Sequence, residues 1–271
     1  MNVRAWDGND PVQVAQRVLQ EMENPLPVPV PGLLDYFGLE LLRAGPGALP
    51  ENCRALLDTR SHVVALQRGL LPAAERYAVS HEGIHYALPW HRQALYRCSE
   101  FDLSWRARQQ MEVEANRGAA VLRFGSVSPE WFADAPIAME SVGALADLTE
   151  SSFEASFRWF VEHSRHPLWG VICEPRPDPV DEVNAMLVDP SLWSGSRTML
   201  GVRYMVLSPS ASRCPRPGQI RYELPSDRES FDLAGELSDA WCPPGMNRFR
   251  KLGARRVEWK SDSFRTYALL S

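Results

Sequence analysis

The pattern HExxH at residues 81–85 is the clearest arrangement in the chain that could perform chemistry. It falls in a predicted helix, where residues four positions apart project from the same face. The imidazoles of His81 and His85 can therefore bind one metal ion, and Glu82 stands beside that ion. Two histidines with a neighbouring glutamate are typical of a metal-dependent hydrolase in which the glutamate acts as general base.

A catalytic metal centre needs a third protein ligand, and the sequence offers two candidates. His91 lies six residues after His85, which is the spacing of the metzincin pattern HExxHxxGxxH. That pattern uses a glycine to turn the chain back, whereas this chain has Leu88, which adopts a left-handed backbone only at a cost. The other candidate is Glu112 on a second predicted helix, and the spacing by itself leaves both open.

The surroundings of Glu112 favour a ligand role. Asn116 lies one turn later on the same face, where its amide could hydrogen-bond the outer nitrogen of a ligating histidine. Ala115 and Ala119 lie along the same strip, and such small side chains let this helix pack closely on the HExxH helix. Glu114 points elsewhere and is expected to be solvated.

A second hydrogen-bond donor for the developing oxyanion is usual in a site of this kind. The sequence does not choose among the nearby candidates, so the role is left unassigned. These candidates are Tyr77, Tyr86, His91 and Tyr96, and a more distant Tyr or Arg is a further alternative.

Proline and turn signals predict the elements that position these residues. One helix should begin at Pro72 and end near Leu88, before Pro89, and a second should run from about Trp105 to Leu122. Ahead of them, residues 55–58 and 63–67 are predicted to form a hairpin. Two shorter helices are predicted upstream, from an Asp10 cap to about Glu21 and around Leu33 to Leu42.

Composition restricts the class of protein. The 271 residues carry 29 Lys and Arg against 34 Asp and Glu, a net charge of −5, which argues against a protein that coats nucleic acid. Five scattered cysteines without a CxxC pair form neither a disulfide framework nor a zinc ribbon and favour a reducing compartment. No apolar run approaches the about 20 residues that span a bilayer, and the first residues do not form a signal peptide. We therefore expect a cytoplasmic protein without a membrane partner.

The second half of the chain differs from the first in its predicted secondary structure. Residues 141–163 are predicted to form two short helices with a polar break between them, in helix-turn-helix style. Short apolar runs beyond Pro167 predict an antiparallel sheet in an α+β domain. The net charge of residues 141–166 is −2, which argues against direct DNA binding by the helical segment.

Basic charge is concentrated at the end of the chain. Residues 241–271 hold seven basic and two acidic side chains, a net charge of +5, which leaves −10 for residues 1–240. One interpretation is a solvated sheet face with long side chains spread over it. The other is a patch that binds an anion, a small-molecule ligand or a protein partner, formed by Arg248, Arg250, Lys251, Arg255 and Arg256.

The order of hairpin, HEGIHYAL helix and MEVEANRGAAVL helix resembles the ImmA/IrrE family of zinc metallopeptidases, whose second motif has the form ExxAN followed by small residues and leucine. The resemblance covers residues 54–122. It extends to GALADLTESSFEASFRWFVEHSRHPLWGVIC and GVRYMVLSP, which are similar to the helix-turn-helix-like segment and GAF-like domain of radiation-response members. The chain departs from the family at residues 122–126, LRFGS, where many relatives have LLMP.

This resemblance implies an α+β chain of three parts: a zincin-like peptidase domain at 1–130, a helix-turn-helix-like segment at 131–166 and a GAF-like sensor domain at 167–271. It implies that His81, His85 and Glu112 bind zinc, and histidine and carboxylate ligands would also suit manganese. It also implies that Glu82 is the catalytic glutamate and that Asn116 is the asparagine of the second motif.

The implied function is an endopeptidase that cleaves a helix-turn-helix repressor and so switches on a stress or DNA-damage response. In zinc peptidases of this plan an exposed edge strand pairs with extended substrate, which favours a substrate-binding role for the hairpin over a purely structural one. The alternative function is a non-cleaving, metal-binding interaction module with a ligand-sensing C-terminal domain. Glu82 argues against that alternative, because a structural metal site needs no base.

Overall fold

A computed structural model describes residues 10–51, 53–92, 105–177, 198–211, 221–223, 232–236, 256–261 and 265–271. Its helices are α1 Pro11–Glu21, α2 Val30–Phe37, α3 Pro72–Ala87, α4 Trp105–Phe124, α5 Pro129–Asp134, α6 Met139–Thr149 and α7 Phe153–His163. Its strands are β1 Glu40–Ala44, β2 Ala55–Asp58, β3 Val63–Gln67, β4 Trp169–Pro177, β5 Thr198–Leu207, β6 Arg221–Glu223, β7 Asp232–Glu236, β8 Arg256–Ser261 and β9 Thr266–Leu270. The α+β class is confirmed. Within these ranges, no helix is both long and apolar enough to cross a bilayer.

Helix α1 begins as its sequence predicts. The Asp10 side chain accepts a hydrogen bond of 2.9 Å from the backbone N–H of Val12, and Pro11 occupies the first turn, where its missing N–H costs nothing. The apolar stripe of the helix is buried, with Ala15 and Val18 fully inaccessible. This helix packs against α4.

The predicted helix around Leu33 to Leu42 is only half correct. Helix α2 ends at Phe37, because Gly38 takes up a left-handed backbone with φ of +66° and caps the helix. The chain then extends, so that Leu41 and Leu42 lie in β1, which pairs in parallel with β3. Such pairing joins segments that are distant in the sequence, and helical propensity alone does not reveal it.

The first sheet contains the predicted hairpin and one added strand. Strands β2 and β3 pair antiparallel, and the order of the sheet is β1-β3-β2. Strand β3 is therefore central, and its residues Val64 and Leu66 are fully buried. A peptide that extends this sheet cannot pair with β3 and must use the edge at β1 or β2.

The two helices that carry the candidate site approach each other closely. Helix α4 packs against α3, and its small residues Ala115 and Ala119 are both fully buried. A Cβ atom added at Gly118 would lie 2.8 Å from side-chain carbons of Ile84, so this position admits nothing larger than glycine without a shift. Close packing through a small residue is confirmed at Gly118, and α4 ends at Phe124, within the LRFGS departure.

The chain divides into two compact units. One comprises Met1–Pro129 and Ala144–Ala155, and the other comprises Glu130–Gly143 and Ser156–Ser271. The first contains α1 to α4 and the three-stranded sheet. The second contains a six-stranded sheet of order β6-β5-β4-β9-β8-β7, in which every pairing is antiparallel, as predicted. The division into domains at 130 and 166 remains a prediction.

The second unit has its own core. Phe157 on α7 is fully buried, its ring packs against Tyr267, and a Cβ atom added at Gly170 would lie 2.7 Å from that ring. Strands β7 and β8 were not predicted from the sequence. Of the predicted basic patch, residues 248–255 lie outside the described residues, and Arg256 is described only as part of the backbone of β8.

Candidate metal centre

Helix α3 places two imidazoles on one face. Pro72 opens the helix and Ala87 ends it, and Leu88 is already extended ahead of Pro89. His81 and His85 lie one turn apart, and their Nε2 atoms are 3.1 Å from each other. Both rings therefore direct a nitrogen toward the same point.

Helix α4 brings a carboxylate to that point. Oε2 of Glu112 is 3.2 Å from Nε2 of His81, and Oε1 is 3.5 Å from Nε2 of His85. The three residues form a group that could hold a metal ion. Glu112, and not His91, is thus the residue that joins the two histidines.

The spacing of these atoms fits a small divalent ion. Ligand bonds of the length zinc makes, arranged tetrahedrally, place ligand atoms about 3.3 Å apart, and the distances here are 3.1, 3.2 and 3.5 Å. The side chains of His81 and His85 are 12% and 7% exposed, whereas that of Glu112 is 60% exposed. The group is therefore closed on the side of α3 and open toward solvent, as a catalytic centre requires. Imidazole and carboxylate ligands suit several first-row ions, so the identity of the ion is not fixed by this set.

Charge interactions within the group favour the ionised carboxylate. Hydrogen bonds from His81 and then His85 hold the pKa of Glu112 well below its usual range, against a smaller opposing effect of burial. Burial would lower the pKa of His81, but the hydrogen bond to Glu112 and the charges of Glu82 and Glu112 together raise it. Glu112 is thus anionic at neutral pH and available as a ligand.

Glu82 lies on the same helix between the two histidines. Burial raises the pKa of its carboxyl group, the charges of His85 and His81 oppose this, and Glu112 adds a smaller upward effect. The charge of Glu82 also raises the pKa of the Cys53 thiol, which lies just before β2, although burial has the larger effect there. Glu82 is therefore electrostatically coupled both to the candidate ligands and to the chain that enters β2.

Asn116 lies beside His81 on the facing helix. Its Oδ1 accepts a hydrogen bond from the hydroxyl of Tyr77, and the amide is near enough to His81 to contribute to raising its pKa. Nδ1 of His81, however, is buried without a hydrogen bond of normal geometry to any residue that the structure describes. A direct bond that fixes this ring remains a prediction.

Glu114 is not solvated, contrary to expectation. Its side chain is 15% exposed and accepts hydrogen bonds from the indole of Trp90 at 2.9 Å and the amide of Gln110 at 2.6 Å. Its Oε2 is also 3.1 Å from Nε2 of His91. Only the Gln110 contact follows helical spacing, because Trp90 and His91 belong to a segment more than twenty residues away. The sequence gives no signal for this cluster.

His91 lies behind His85. It is fully buried, and its Nδ1 is 3.0 Å from Nδ1 of His85, the ring nitrogen that faces away from His81 and Glu112. Burial, followed by the charge of His85, lowers the pKa of His91 to about 4, so its ring is neutral at pH 7. This position explains why the metzincin spacing does not produce a third ligand here.

The structure distinguishes between the four named candidates for the oxyanion donor. Tyr86 is hydrogen-bonded to Nδ1 of His62 at 2.7 Å, His91 is enclosed behind His85, and Tyr96 lies outside the described residues. The ring of Tyr77 lies 5.7 Å from the ring of His81. Of these four, Tyr77 is the one that the structure places beside the open group.

Comparison with known proteins shows a similar fold but does not assign the chain to a family. No protein-family model and no curated protein matches the sequence. Among solved structures, the chain is similar to a Mycobacterium tuberculosis transcriptional regulator, with a TM-score of 0.52 and 12% identity over 96% of this chain and 75% of that one. At this level of identity the similarity concerns the fold alone. The chain thus shares the fold of that structure and holds, in its first unit, a His81–His85–Glu112 group that could bind a metal ion.

Proposed function

We propose that this chain is a metal-dependent endopeptidase with a zincin-like site. The observation that carries the proposal is the convergence of His81, His85 and Glu112 on one point, with Glu82 between the two histidines on the same helix. A structural zinc site would use four protein ligands and would need no general base. The added glutamate and the open side of the group are what hydrolysis requires.

The chemistry divides between the ion and the protein. A bound zinc or manganese ion would polarise the scissile carbonyl and make water a stronger nucleophile. Glu82 accepts a proton from the attacking water and returns it to the leaving amine as the C–N bond breaks. Tyr77 is the candidate that donates a hydrogen bond to the developing oxyanion, for which its hydroxyl must turn away from Asn116.

The edge at β2 is the best place for the substrate backbone. Strand β2 is an edge of the first sheet and packs against α3, the helix that carries Glu82. An extended peptide that pairs with Ala55–Asp58 would therefore pass near the general base. The side chain of Leu56 on this strand is 47% exposed and gives such a peptide an apolar contact.

The proposed substrate is a helix-turn-helix transcriptional repressor. This choice depends on the resemblance to the ImmA/IrrE family, and the likeness to a transcriptional regulator is consistent with it. Cleavage would switch on a stress or DNA-damage response in the cytoplasm. In this proposal residues 131–166, which include α6 and α7, form a helix-turn-helix-like segment, and residues 167–271 form a GAF-like sensor whose basic C-terminal residues bind an anionic ligand or a partner.

Cleavage of a repressor by purified protein tests the proposal. The substrate is a small helix-turn-helix repressor encoded next to this gene, incubated with wild type plus Zn²⁺ or Mn²⁺ and analysed by mass spectrometry. We expect Glu82→Gln to bind the ion and to lose cleavage at least about a hundredfold, the usual scale for removal of a general base. Glu140→Gln, which changes an exposed glutamate on α6, should cleave like wild type. Cleavage that persists in Glu82→Gln contradicts the mechanism, and metal binding without cleavage in wild type favours the non-cleaving interaction module.

A further inference from the structure

Both ring nitrogens of His91 are engaged in the interior of the first unit. Nδ1 is 3.0 Å from Nδ1 of His85, and Nε2 is 3.1 Å from Oε2 of Glu114. The ring is fully buried, so water does not compete for either contact. The result is a continuous chain of contacts from the candidate metal position through two imidazoles to a carboxylate.

The protons along this chain have one consistent arrangement when a metal is bound. A neutral imidazole that donates the lone pair of Nε2 to an ion carries its proton on Nδ1. Nδ1 of His85 must therefore be a donor, and Nδ1 of His91 must accept from it. The proton of His91 is then on Nε2, where it points at the anionic oxygen of Glu114.

The opposite arrangement fails at both ends. If His91 donated from Nδ1, its Nε2 lone pair would face the Glu114 carboxylate, and two acceptors would be in repulsive contact at 3.1 Å. The proton of His85 would have to sit on Nε2, which would block the nitrogen that the ion needs. The carboxylate therefore selects the tautomer of His91, and His91 in turn selects that of His85.

Glu114 is held firmly enough to make this selection. Its two oxygens accept from Trp90 at 2.9 Å and from Gln110 at 2.6 Å, in addition to the contact with His91. Three donors around one carboxylate fix its orientation. His81 differs, because its Nδ1 has no such partner among the described residues.

We propose that His91 and Glu114 are a positioning pair that fixes the orientation and the Nδ1-protonated tautomer of His85, and so tightens the binding of a divalent ion. This inference deepens the proposed function, since it rests on the same metal group. His91 acts through His85 and does not touch the ion or the substrate. Outer partners of this kind strengthen metal binding by orienting the ligand and raising its basicity.

Zinc affinity of the full chain, measured by competition with a chromogenic chelator, tests the pair. His91→Leu removes both contacts, and we expect zinc binding to weaken about 10- to 100-fold. His91→Asn keeps an amide oxygen near the position of Nδ1, so it should restore most of the affinity lost in His91→Leu. His62→Asn is the matched control, because His62 contacts Tyr86 and not the metal group, and its left-handed φ of +60° suits asparagine.

Nitrogen-15 NMR of the wild-type imidazoles provides a readout that does not depend on any variant. In the zinc-loaded protein we expect His85 to be protonated at Nδ1 and His91 at Nε2. A proton on Nδ1 of His91, or unchanged zinc affinity in a folded His91→Leu protein, overturns the inference while leaving the metal site intact. Failure of wild type to bind zinc or manganese overturns the metal site and this inference with it.

Discussion

Gly118 on α4 lies so close to Ile84 on α3 that a Cβ atom would come within 2.8 Å of three Ile84 carbons. Ile84 immediately precedes His85, and Gly118 follows Glu112 by six residues, so this contact sets the separation of the helices that carry the candidate ligands. The fit of the group to an ion depends on that separation, because a displacement of about 0.5 Å is enough to spoil a metal or catalytic geometry.

Substitution of Gly118 by alanine should therefore damage both stability and metal binding. Overpacking costs about 1–3 kcal/mol, and the better helix propensity of alanine returns about 1 kcal/mol, so we expect a net loss of about 0–2 kcal/mol in urea unfolding and weaker zinc binding. Gly143→Ala is the matched control, because a Cβ atom at Gly143 on α6 meets nothing within 4 Å. If the two variants behave alike, the close contact does not set the geometry.

Loss of the Glu112 carboxylate should abolish the stabilisation of the folded protein by zinc. An ion that binds only the folded state at a thousand times its Kd stabilises the protein by about 4 kcal/mol. We expect Zn²⁺ to raise the Tm of wild type and to leave that of Glu112→Ala nearly unchanged, as measured by calorimetry with and without EDTA. An equal rise in Tm for the two proteins would mean that the ion binds elsewhere.

The ion pair between Arg76 and Glu150 should matter more than an exposed one. Arg76 is 8% exposed, donates to the backbone carbonyl of Val28 at 3.0 Å, and pairs with Glu150 in the turn after α6. Glu150→Ala leaves a buried guanidinium without its anion, and we expect a loss of about 1–3 kcal/mol in the free energy of unfolding.

The pair of Arg43 and Glu75 serves as the comparison for that measurement, because its cation is the more exposed partner. The side chain of Arg43 is 43% exposed and lies 2.5 Å from Glu75, so Glu75→Ala leaves a hydrated guanidinium and should cost less than about 1 kcal/mol. Equal losses in urea unfolding for the two variants would show that burial of Arg76 does not strengthen its pair.

Alkaline pH should destabilise the second unit through Cys173. Burial raises the pKa of this thiol from 9.0 to about 12. Between these values the folded state keeps a proton that the unfolded state releases, so the free energy of unfolding is unaffected below about pH 9 and falls as the pH rises further, by up to about 1.4 kcal/mol per unit. Urea unfolding at pH 7, 9 and 10 measures this slope.

Two variants assign that slope to the thiol. Cys173→Ala should lose most of the pH dependence between 9 and 10, whereas Val171→Ala on the same strand should lower stability at every pH and keep the slope. Both side chains are fully buried in β4, so the truncations are comparable in kind. The same slope in Cys173→Ala as in wild type would assign the effect to another group, such as Tyr204, whose pKa burial raises to about 12.

Features that depend on neighbouring residues could be predicted from the sequence. The Asp10 cap, the start of α3 at Pro72 and its end before Pro89 all follow from local backbone rules, and the structure confirms them. Helical spacing likewise placed His81 and His85 on one face, since one turn of helix fixes that relation whatever surrounds it. The short apolar runs predicted an antiparallel sheet in the second half. They did not predict strands β7 and β8.

Relations between distant segments were settled only by the tertiary structure. Whether Glu112 or His91 joins the histidines depends on how α4 crosses α3, and that crossing depends on the contact between Gly118 and Ile84. The burial of Glu114 arises from partners more than twenty residues away in the sequence. The local sequence pattern therefore predicted, wrongly, that this residue is solvated. The HExxH motif thus determined the kind of site, a pair of histidines on one helix face with a glutamate between them. The packing of α4 on α3 decided which side chains complete and support that site, because ligand geometry depends on distances that sequence spacing does not contain.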